Sequence, residues 1–475
     1  MKKYLIRSGI APTEIREPDE MILKNMIGGN VGNLIYAYSI YRNLTTEDVE
    51  IIPDRYRINE KDASEINKKY DAYIIPLADA FRESFVESLK KYTKLIEKLT
   101  IPVVVIGVGV KAPMNKRIEN GFPFDNVVKE FVKAVLKRSN MIGVRGQITA
   151  DYLSYLGFTE GVDHTVIGCP SMYTFGKELN IKDLNLNKHS KIALNSSKLS
   201  PEHVLKFISS ISENYQDYYF IPQWRKEFKM TYIGNEKLKE NTSFYPNSIA
   251  DKYYRKDRVR YPLNAKSWIN FMKKMDLAVG SRLHGNITAT IAGTPSLLIT
   301  KDARMKELAE YHKLTHIPED QLKENVKLPD LIEKLDFHSP QKVQSQNFNH
   351  FLDFLNKNNL DHIYNHNYYK HPPLDQRMAK LNLPEMLTPI NSLKPIEISN
   401  RILKYTSFEE EEKSKLIKKN KNLSKQLAKQ NANITRLNAQ LQRKSVKLGL
   451  KFGDSLAIAK KKLKNNYGLK NKNFR

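Results

Sequence analysis

The sequence predicts an α/β protein with two doubly wound, Rossmann-like domains followed by a C-terminal helical or coiled-coil tail. Strand-length apolar runs alternate with helix-like segments, and the alternation occurs in two successive runs before the hydrophobic spacing changes to a heptad repeat. Alternation of this kind is typical of parallel sheets. We therefore expect α/β domains at residues 1–178 and 179–345, an extension at 346–407 and a basic tail at 408–475. The site should lie in the cleft between the two domains.

The stretch from Asp276 to Lys301 shows the alternation most clearly. An apolar run from Leu277 to Val279 is followed by a Gly-Ser turn, a helix-compatible segment from Asn286 to Ala292, and a second apolar run from Ser296 to Thr300. This order of strand, turn, helix and strand predicts a βαβ unit of a parallel sheet.

Basic residues lie where the predicted strands end. Arg282 and His284 follow the first strand of this unit, Lys301 follows the second, and Arg145 ends a short strand in the first domain. Ligands of open α/β sheets bind at the carboxyl ends of strands, so these four side chains could bind one small, multiply charged anion. The alternative is a basic surface turn in a Lys-rich chain. An imidazole among cations should have a lowered proton affinity, which suits proton exchange near neutral pH.

Two glycine-rich turns lie next to predicted elements, one before a helix and one after a strand. The first, which leads into a helix, contains Gly29, Asn30, Gly32 and Asn33, and the second, at the end of an apolar strand, contains Gly107 and Gly109. Glycine allows a ligand to approach the backbone closely, and a helix N-terminus favours an anion or a hydroxyl group. Ordinary turn chemistry is the alternative interpretation. The spacing of Gly28, Gly29 and Gly32 does not match a dinucleotide-binding fingerprint.

Length and cysteine content place bounds on the class of protein. The 475 residues are enough for two or three domains, and the one cysteine, Cys169, has no internal partner for a disulfide. The longest apolar stretch, Ile101 to Val110, is about half of what a membrane-spanning helix needs. The N-terminus becomes charged again before any signal-type segment develops. We expect a cytoplasmic protein, which could also bind peripherally to the inner face of the cell membrane.

The formal net charge of +26 is concentrated at the C-terminus. Residues 413–475 contain 16 Lys and 3 Arg against the single acid Asp454, a net charge of +18, which leaves +8 for the other 412 residues. A mildly basic globular part thus precedes a strongly basic tail. Because the tail lacks interleaved aromatic residues for base stacking, nucleic-acid binding is the least favoured function.

A heptad pattern begins in the tail. Steps of four and three residues connect the following positions: Leu416, Asn420, Leu423, Leu427, Gln430, Ile434, Leu437, Leu441, Lys444 and Leu448. The pattern predicts a short coiled coil and a homo-oligomer, with Asn420 and Gln430 weakening it while fixing the register. A lone amphipathic helix docked on the protein is the alternative. Beyond Leu450 a basic amphipathic stretch could lie on an anionic membrane, or be a solvated tail.

Several motifs occur in an order that resembles the polysaccharide pyruvyl transferase family over residues 20–310. They are Gly29–Asn33, Ile106–Gly109, Val144–Gly157, Gly168–Ser171 and Ser281–Pro295 with Lys301. Members of this family look like two-domain enzymes of glycosyltransferase-B type. They transfer enolpyruvyl from phosphoenolpyruvate to a sugar of a surface polymer or exopolysaccharide and form a pyruvate ketal.

The resemblance implies roles for the basic residues. Arg145, Arg282, His284 and Lys301 would hold phosphoenolpyruvate, and the loop around Asn30 would face the sugar or lipid-linked sugar acceptor. His284 is expected to be the general acid that protonates C3 or a neighbouring oxygen, with Arg145 and Lys301 stabilising the phosphate. No step demands a metal ion, and no cofactor is expected besides the donor substrate. Many relatives carry Asp where this chain has Asn33, which leaves the acceptor base in question.

Two other functions are compatible with the sequence. A sugar-nucleotide glycosyltransferase with the same two-domain fold would also need a basic cleft, and it would bind a nucleotide sugar. A non-catalytic interaction protein would instead work through the coiled coil and the basic tail.

Overall fold

The first half of the chain forms a parallel sheet with helices on both faces. In this computed structural model the strands are β1 (Lys2–Ile6), β2 (Val49–Pro53), β3 (Ala72–Pro76) and β4 (Val103–Ile106), in the order β2-β1-β3-β4. Two further parallel strands follow, β5 (Ile142–Val144) and β6 (His164–Val166). A parallel bridge between Val108 and Val144 connects them to the chain just beyond β4.

The second half forms a five-stranded parallel sheet. Its strands are β7 (Lys191–Asn195), β8 (Asp217–Phe220), β9 (Leu277–Gly280), β10 (Ser296–Thr300) and β11 (His316–Pro318). They are ordered β11-β10-β9-β7-β8, so the direction of strand addition reverses between β7 and β9. The predicted domain boundary at residue 178 falls between β6 and β7.

Helices cover both sheets. Those of the first half are α1 (Pro18–Leu23), α2 (Gly32–Leu44), α3 (Ala63–Lys69), α4 (Val86–Lys98), α5 (Asp125–Leu136) and α6 (Gln147–Tyr155). Those of the second half are α7 (Glu202–Asn214), α8 (Arg225–Ile233), α9 (Lys252–Arg255), α10 (Ala265–Lys273), α11 (Leu283–Ile291), α12 (Ala303–Tyr311) and α13 (Leu328–Ile332). They are followed by α14 (Ser339–Lys357), α15 (Pro373–Ala379), α16 (Pro395–Leu441) and α17 (Lys444–Lys470).

The structure describes residues 1–112, 118–234, 238, 244–322, 326–365 and 367–470, except for the side chains of residues 119, 446 and 461–470. The described chain forms two units, Met1–Tyr405 and Thr406–Arg475. In the part of the chain that is described, no helix is both long enough and apolar enough to cross a membrane.

Buried apolar residues explain why the strands form. Every residue of β4 is fully buried, which is typical of a parallel strand covered on both faces. Successive residues of β3 enter different cores: Ile74 packs in the cluster that contains α2, whereas Ile75 packs in the cluster that contains α4 and α5. Side chains alternate between the two faces of a strand, so successive residues of β3 contribute to the hydrophobic cores on opposite faces of the sheet.

The segment after the second sheet returns to the first half. Asp375 forms an ion pair with Arg42 on α2, with a distance of 2.8 Å between Nη2 and Oδ2. The backbone N–H of Ile363 donates to the carbonyl oxygen of Asn43 at 2.9 Å. For residues 358–395 the sequence indicates an irregular connector or a packed extension, and the structure shows a segment that packs on the first half and includes α15.

The predicted fold class is confirmed: the chain contains two parallel sheets in the α/β arrangement and a long C-terminal helix. Three strands, β1, β2 and β11, were not predicted, because each is short and begins or ends with charged or proline residues. The sequence also predicts a helix at Asn347–Asn356, and the observed helix α14 is longer, spanning Ser339–Lys357. The C-terminal helix is interrupted at residues 442 and 443, so Lys444 and Leu448 of the heptad pattern lie on a separate helix.

Candidate active site

The carboxyl ends of the two sheets line a cavity of about 590 Å³ in the first unit. The location follows from topology, because strand order reverses between β1 and β3 in the first sheet and between β7 and β9 in the second. The basic residues that line the cavity are Arg7, Arg82, Lys111, Arg145, Arg282, His284, Lys301 and Arg304. The carboxylates that line it are Asp79 and Asp302. The cavity is therefore strongly cationic.

Arg145 forms the buried wall of the cavity. Its side chain is only 1% exposed, and its Nε donates to the carbonyl oxygen of Gly107 at 3.0 Å. The guanidinium lies 5.4 Å from the ring centre of Tyr36. Within the described part of the chain, Nη2 of Arg145 has no hydrogen-bond partner. An unpaired buried guanidinium N–H is costly, so an anionic ligand would satisfy it.

Gly107 and Gly109 position this arginine and do not line the cavity. Gly107 has a φ of +67°, and a Cβ there would lie 2.3 Å from the hydroxyl oxygen of Tyr36. That hydroxyl donates to the carbonyl oxygens of Ile106 and Gly107. A Cβ at Gly109 would lie 3.0 Å from Cδ of Arg145. A Cβ at Gly109 would therefore crowd the arginine side chain, whereas a Cβ at Gly107 would crowd Tyr36, the ring on which the guanidinium lies.

Arg282 supplies a second set of unpaired donors. It follows β9, its guanidinium lies 4.8 Å from the ring centre of Trp224, and its backbone N–H donates to Oδ1 of Asn195 at 2.9 Å. Burial lowers the pKa of Arg282, opposed in part by the negative charge of Glu227. Among the residues described, Nε and Nη2 of Arg282, Nδ2 of Asn195 and Nε2 of Gln223 all lack partners. These donors favour a ligand rich in oxygen acceptors.

His284 lies on the first turn of α11, against the glycine-rich loop. A Cβ at Gly32 would lie 2.6 Å from Nδ1 of the imidazole, so only glycine allows this approach. On the other side, Sγ of Cys169 lies 4.0 Å from Nε2. Burial, and then the positive charges of Arg145 and Arg304, lower the pKa of His284 to about 3. The imidazole of the free protein is therefore neutral at pH 7, and its pKa lies further below neutrality than the sequence led us to expect.

Lys301 follows β10 and is held by two serines. Its Nζ donates to Oγ of Ser200 at 3.0 Å, and that hydroxyl is hydrogen-bonded to Oγ of Ser281 at 2.8 Å. Burial, and then the positive charge of Arg282, lower the pKa of Lys301 to about 8. Lys301 thus carries its charge at neutral pH but loses it under mildly alkaline conditions.

Three charged residues that the sequence did not single out connect the two halves across the cavity. Arg304 Nη1 lies 2.5 Å from Asp79 Oδ2, and Arg82 Nη1 lies 2.6 Å from the same oxygen. Burial would raise the pKa of Asp79, but the positive charges of Arg304 and then Arg82 outweigh burial and lower it. Asp79 and Arg82 follow β3, and Arg304 follows β10. The rule that ligands bind at carboxyl ends of parallel strands could therefore have found them.

The loop before α2 contributes its amide side chains. Asn30 and Asn33 line the cavity, whereas Gly29 and Gly32 do not. Oδ1 of Asn30 accepts from the backbone N–H of Gly32 at 2.8 Å, and Nδ2 of Asn33 donates to the carbonyl oxygen of Ile27 at 2.9 Å. These hydrogen bonds connect residues within the loop and stabilise its turn conformation.

A buried carboxylate lies behind Arg145. Glu307 on α12 is 3% exposed and accepts hydrogen bonds from the backbone N–H and the hydroxyl of Thr149, both at 3.0 Å. Burial raises the pKa of Glu307 to about 7, although the bonds from Thr149 oppose the shift. This contact joins the second half to the N-terminus of α6.

The structure thus brings the four basic residues predicted as a group to one cavity, together with Asn30 and Asn33. Of the predicted glycines, Gly32 packs on His284 and Gly109 packs on Arg145. Gly107 packs on Tyr36 and accepts the hydrogen bond from Arg145, and Gly29 has no neighbouring atom that would restrict a Cβ. In the described ranges, no group of three or more His, Cys, Asp and Glu side chains is placed to hold a metal ion.

His312 leads to a prediction about stability in acid. It is 1% exposed, its Nε2 accepts the backbone N–H of Cys169 at 2.8 Å, and burial followed by the charge of Arg145 lowers its pKa to about 3. Its folded pKa lies below the ordinary value of about 6.5, so the unfolded chain binds more protons between these two values. We expect the free energy of unfolding to be greatest above pH 6.5 and to fall as the pH drops towards 3.

Thermal unfolding at a series of pH values checks this expectation. His312→Gln should reduce the dependence of Tm on pH between 7 and 5. His371→Gln, at an exposed position, is the matched control and should leave it unchanged. An equal slope for both variants would contradict the assignment.

The fold and the cavity define the class of protein as an α/β protein in which the carboxyl ends of two parallel sheets line one cationic cavity. A model of the polysaccharide pyruvyl transferase family matches residues 30–302, more than half of the chain. The chain belongs to this family, which makes it a transferase of polysaccharide biosynthesis. A search of the curated proteins finds no significant match.

Solved structures of sugar-nucleotide enzymes show a distant similarity. UDP-N-acetylglucosamine 2-epimerase from Methanocaldococcus jannaschii is 15% identical, with a TM-score of 0.42 over 75% of this chain and 99% of that one. The enzyme from Neisseria meningitidis is 10% identical, with a TM-score of 0.40 over 75% and 100%. MurG from Acinetobacter baumannii is 10% identical, with a TM-score of 0.35 over 75% and 100%. Similarities at this level say nothing about the activity of this chain.

Proposed function

We propose that the cavity binds phosphoenolpyruvate and that the protein transfers its enolpyruvyl group to a sugar, forming a pyruvate ketal. The observation that carries this proposal is the set of unpaired guanidinium N–H groups of Arg145 and Arg282 in a cavity lined by further cations. The phosphate of the donor carries roughly −1.5 to −2 at pH 7, and its carboxylate adds one more negative charge. Such a ligand would satisfy the donors and offset the local positive charge.

The two ends of the donor suit the two arginines. Arg145 belongs to the first half, and together with Arg304 and Lys301 it would hold the phosphate and stabilise the charge that develops as it leaves. Arg282 lies beside Trp224 with Gln223 and Asn195 close by, which suits the planar carboxylate. The enol carbons would then lie between the two sets of donors, near His284.

A neutral imidazole can carry the proton that the reaction moves. The first sugar hydroxyl forms a bond to C2 while C3 gains a proton and becomes a methyl group. The C2–O bond to phosphate then breaks, the second hydroxyl forms its bond to C2, and its proton leaves with the phosphate. His284 would take the proton of the first hydroxyl and, as its protonated form, act as the general acid at C3. The negative donor offsets Arg145 and Arg304, which raises the pKa of His284 in the complex.

Asn33 does not supply the acceptor base in this scheme. Its amide N–H₂ donates to the carbonyl oxygens of Ile27 and Gly28, which a carboxylate at this position could not do. Its role is to hold the loop that would present the acceptor. The base in this chain is therefore the imidazole of His284, which Gly32 allows to lie against the same loop.

Release of inorganic phosphate tests the proposed function. The purified full-length protein should release phosphate from phosphoenolpyruvate only when a glycan or lipid-linked sugar acceptor is present, with one ketal formed per phosphate. Titration with nucleotide sugars provides the contrasting measurement. Hydrolysis of a nucleotide sugar without use of phosphoenolpyruvate would indicate a glycosyltransferase. Binding of neither donor would favour the non-catalytic interaction protein.

The pKa of Lys301 gives the reaction an alkaline limit. Because Lys301 loses its charge above about pH 8, we expect kcat/KM for phosphoenolpyruvate to fall above that pH. Lys301→Arg should keep the charge and move the limit to higher pH, even if the maximal rate is lower. Measuring kcat/KM from pH 6 to 10 for both proteins checks this. An unchanged alkaline limb in Lys301→Arg would show that another group sets it.

The proposed acceptor also suggests a location at an anionic membrane surface. On α17, Leu448, Phe452 and Leu456 form one stripe of exposed apolar side chains, and Lys447 and Lys451 form a neighbouring basic stripe. Such a helix can lie in the interface of anionic lipids. We expect the protein to sediment with vesicles that contain phosphatidylserine and to be released by salt. Phe452→Glu should weaken binding, and failure of the native protein to bind would remove the membrane from the proposal.

A further inference from the structure

We infer that α16 pairs with α16 of a second copy of this chain as a parallel, in-register coiled coil. The observation is the face of α16 formed by Leu416, Asn420, Leu423, Leu427, Gln430, Ile434, Leu437 and Leu441, which we call the α16 seam. All eight positions lie on one uninterrupted helix. Their alternating steps of four and three residues are those of heptad positions a and d.

The apolar side chains of the α16 seam are more than half exposed in the part of the chain that the structure describes. The five leucines and the isoleucine are 51–59% exposed in the described structure. The seam is about 39 Å long at 1.5 Å per residue, or about three and a half heptads. A row of six large apolar side chains is rarely left in water, because burying each one is favourable.

The distribution of charges on α16 allows it to pair with α16 of a second copy. From Leu416 to Leu441 the helix carries six basic residues and no acidic one, which would make an ordinary self-association repulsive. Five of the six lie at heptad positions b, c and f, away from the seam: Lys418, Lys421, Lys425, Lys429 and Arg436. Only Lys419 lies at a flanking position.

From residue 424 to residue 440, the positions that flank the seam carry uncharged polar side chains. They are Ser424, Gln426, Asn431, Asn433, Asn438 and Gln440. In a parallel dimer, position g of one helix meets position e of its partner, so Gln426 would meet Asn431 and Asn433 would meet Asn438 of the other copy. Amides both donate and accept, so these pairs attract, whereas lysines at the same positions would repel.

The polar seam residues favour the parallel, in-register arrangement. In that arrangement Asn420 faces Asn420 and Gln430 faces Gln430 of the second copy, so each amide can satisfy its counterpart. An antiparallel pair that overlaps the whole seam would place Asn420 against Leu437 and Gln430 against Leu427, and would leave both amides unsatisfied. The same two residues interrupt the apolar stripe along its length, and the polar side chains that flank the seam from residue 424 to residue 440 keep it narrow. A narrow stripe suits one partner helix better than the wide apolar face that a membrane surface requires.

Sedimentation velocity of the full-length protein at micromolar concentrations tests the inference. The chain has a mass of 55.0 kDa, and we expect a species of twice that mass. Leu427→Glu with Leu437→Glu should abolish the dimer. The matched control is Ala432→Glu with Ala439→Glu, which adds the same charges at position f of the same helix and should leave the dimer intact. Circular dichroism would verify that both variants keep their helix content.

Further variants test the register. Asn420→Leu with Gln430→Leu should tighten the dimer, and Leu437→Cys should form a disulfide-linked dimer on oxidation, because only a parallel, in-register pair brings the two sulfurs together. A monomer at all micromolar concentrations, or equal dissociation of the seam and control variants, would overturn the inference. Vesicle binding by a monomer that depends on Leu427 and Leu437 would assign the seam to a membrane. These readouts do not depend on the proposed activity.

Discussion

Replacing His284 with alanine is expected to reduce phosphate release by about 10²–10⁴-fold, the usual contribution of a positioned general acid or base. The imidazole lines the cavity, lies against Gly32, and is close enough to Arg145 for that positive charge to lower its pKa. Removing it leaves the guanidinium groups that would hold the donor. The loss should therefore appear in kcat, while the affinity for phosphoenolpyruvate measured by equilibrium titration changes little.

The matched control for this prediction is Cys169→Ala. Its sulfur lies 4.0 Å from the same imidazole but has no part in the proposed proton transfer. The control should retain most of its turnover, which separates a chemical role of His284 from a disturbance of local packing. Unimpaired turnover in His284→Ala would remove the imidazole from the mechanism.

Replacing Arg145 with lysine is expected to lower kcat/KM for phosphoenolpyruvate by about 10²–10³-fold, although the positive charge is kept. The guanidinium uses Nε to bind the carbonyl oxygen of Gly107 and leaves Nη2 for the ligand. A lysine ammonium on a shorter, flexible stem cannot make both contacts in this geometry. The variant would also leave a gap beside Gly109.

Steady-state kinetics with saturating acceptor measures the effect on the donor. Arg16→Lys is the matched control, because Arg16 forms its ion pair with Glu14 outside the cavity. The control should behave like the native protein. Native kinetics in Arg145→Lys would mean that Arg145 only supports the fold and that the donor binds elsewhere.

The βαβ unit from Asp276 to Lys301 and the family to which the chain belongs could be predicted from local sequence. The observed helix α11 begins three residues earlier than predicted, so that Arg282 becomes its N-cap residue and His284 lies in its first turn. Sequence periodicity could not show this, because the start of the helix depends on the bond from the Arg282 N–H to Asn195 on β7. A neighbouring strand thus decides where the helix begins.

The charged residues Asp79, Arg82 and Arg304 show that contacts between distant parts of the chain could not be predicted from the sequence. Each follows a strand, so its position in the sequence could place it at the ligand-binding edge of a sheet, but local sequence does not show that the three residues meet. The ion pair of Asp79 with Arg304 exists because β3 and β10, in different sheets, end at the same cavity, whereas Arg82 pairs with Asp79 within the segment after β3. Likewise, the pKa of about 3 for His284 depends on burial and on Arg145 and Arg304, which come from distant parts of the sequence.

The sequence by itself determined the α/β class, the division of the charge, the heptad spacing and the identity of the four basic residues, since each depends on the order of nearby residues. The tertiary structure alone decided that Gly32, Gly107 and Gly109 lie against side chains of the site and do not line the cavity. It also decided that His284 is neutral in the free protein and that Asn33 donates to its own loop. Desolvation and the distances between distant charges set these properties, and both arise only when the two sheets close around one cavity.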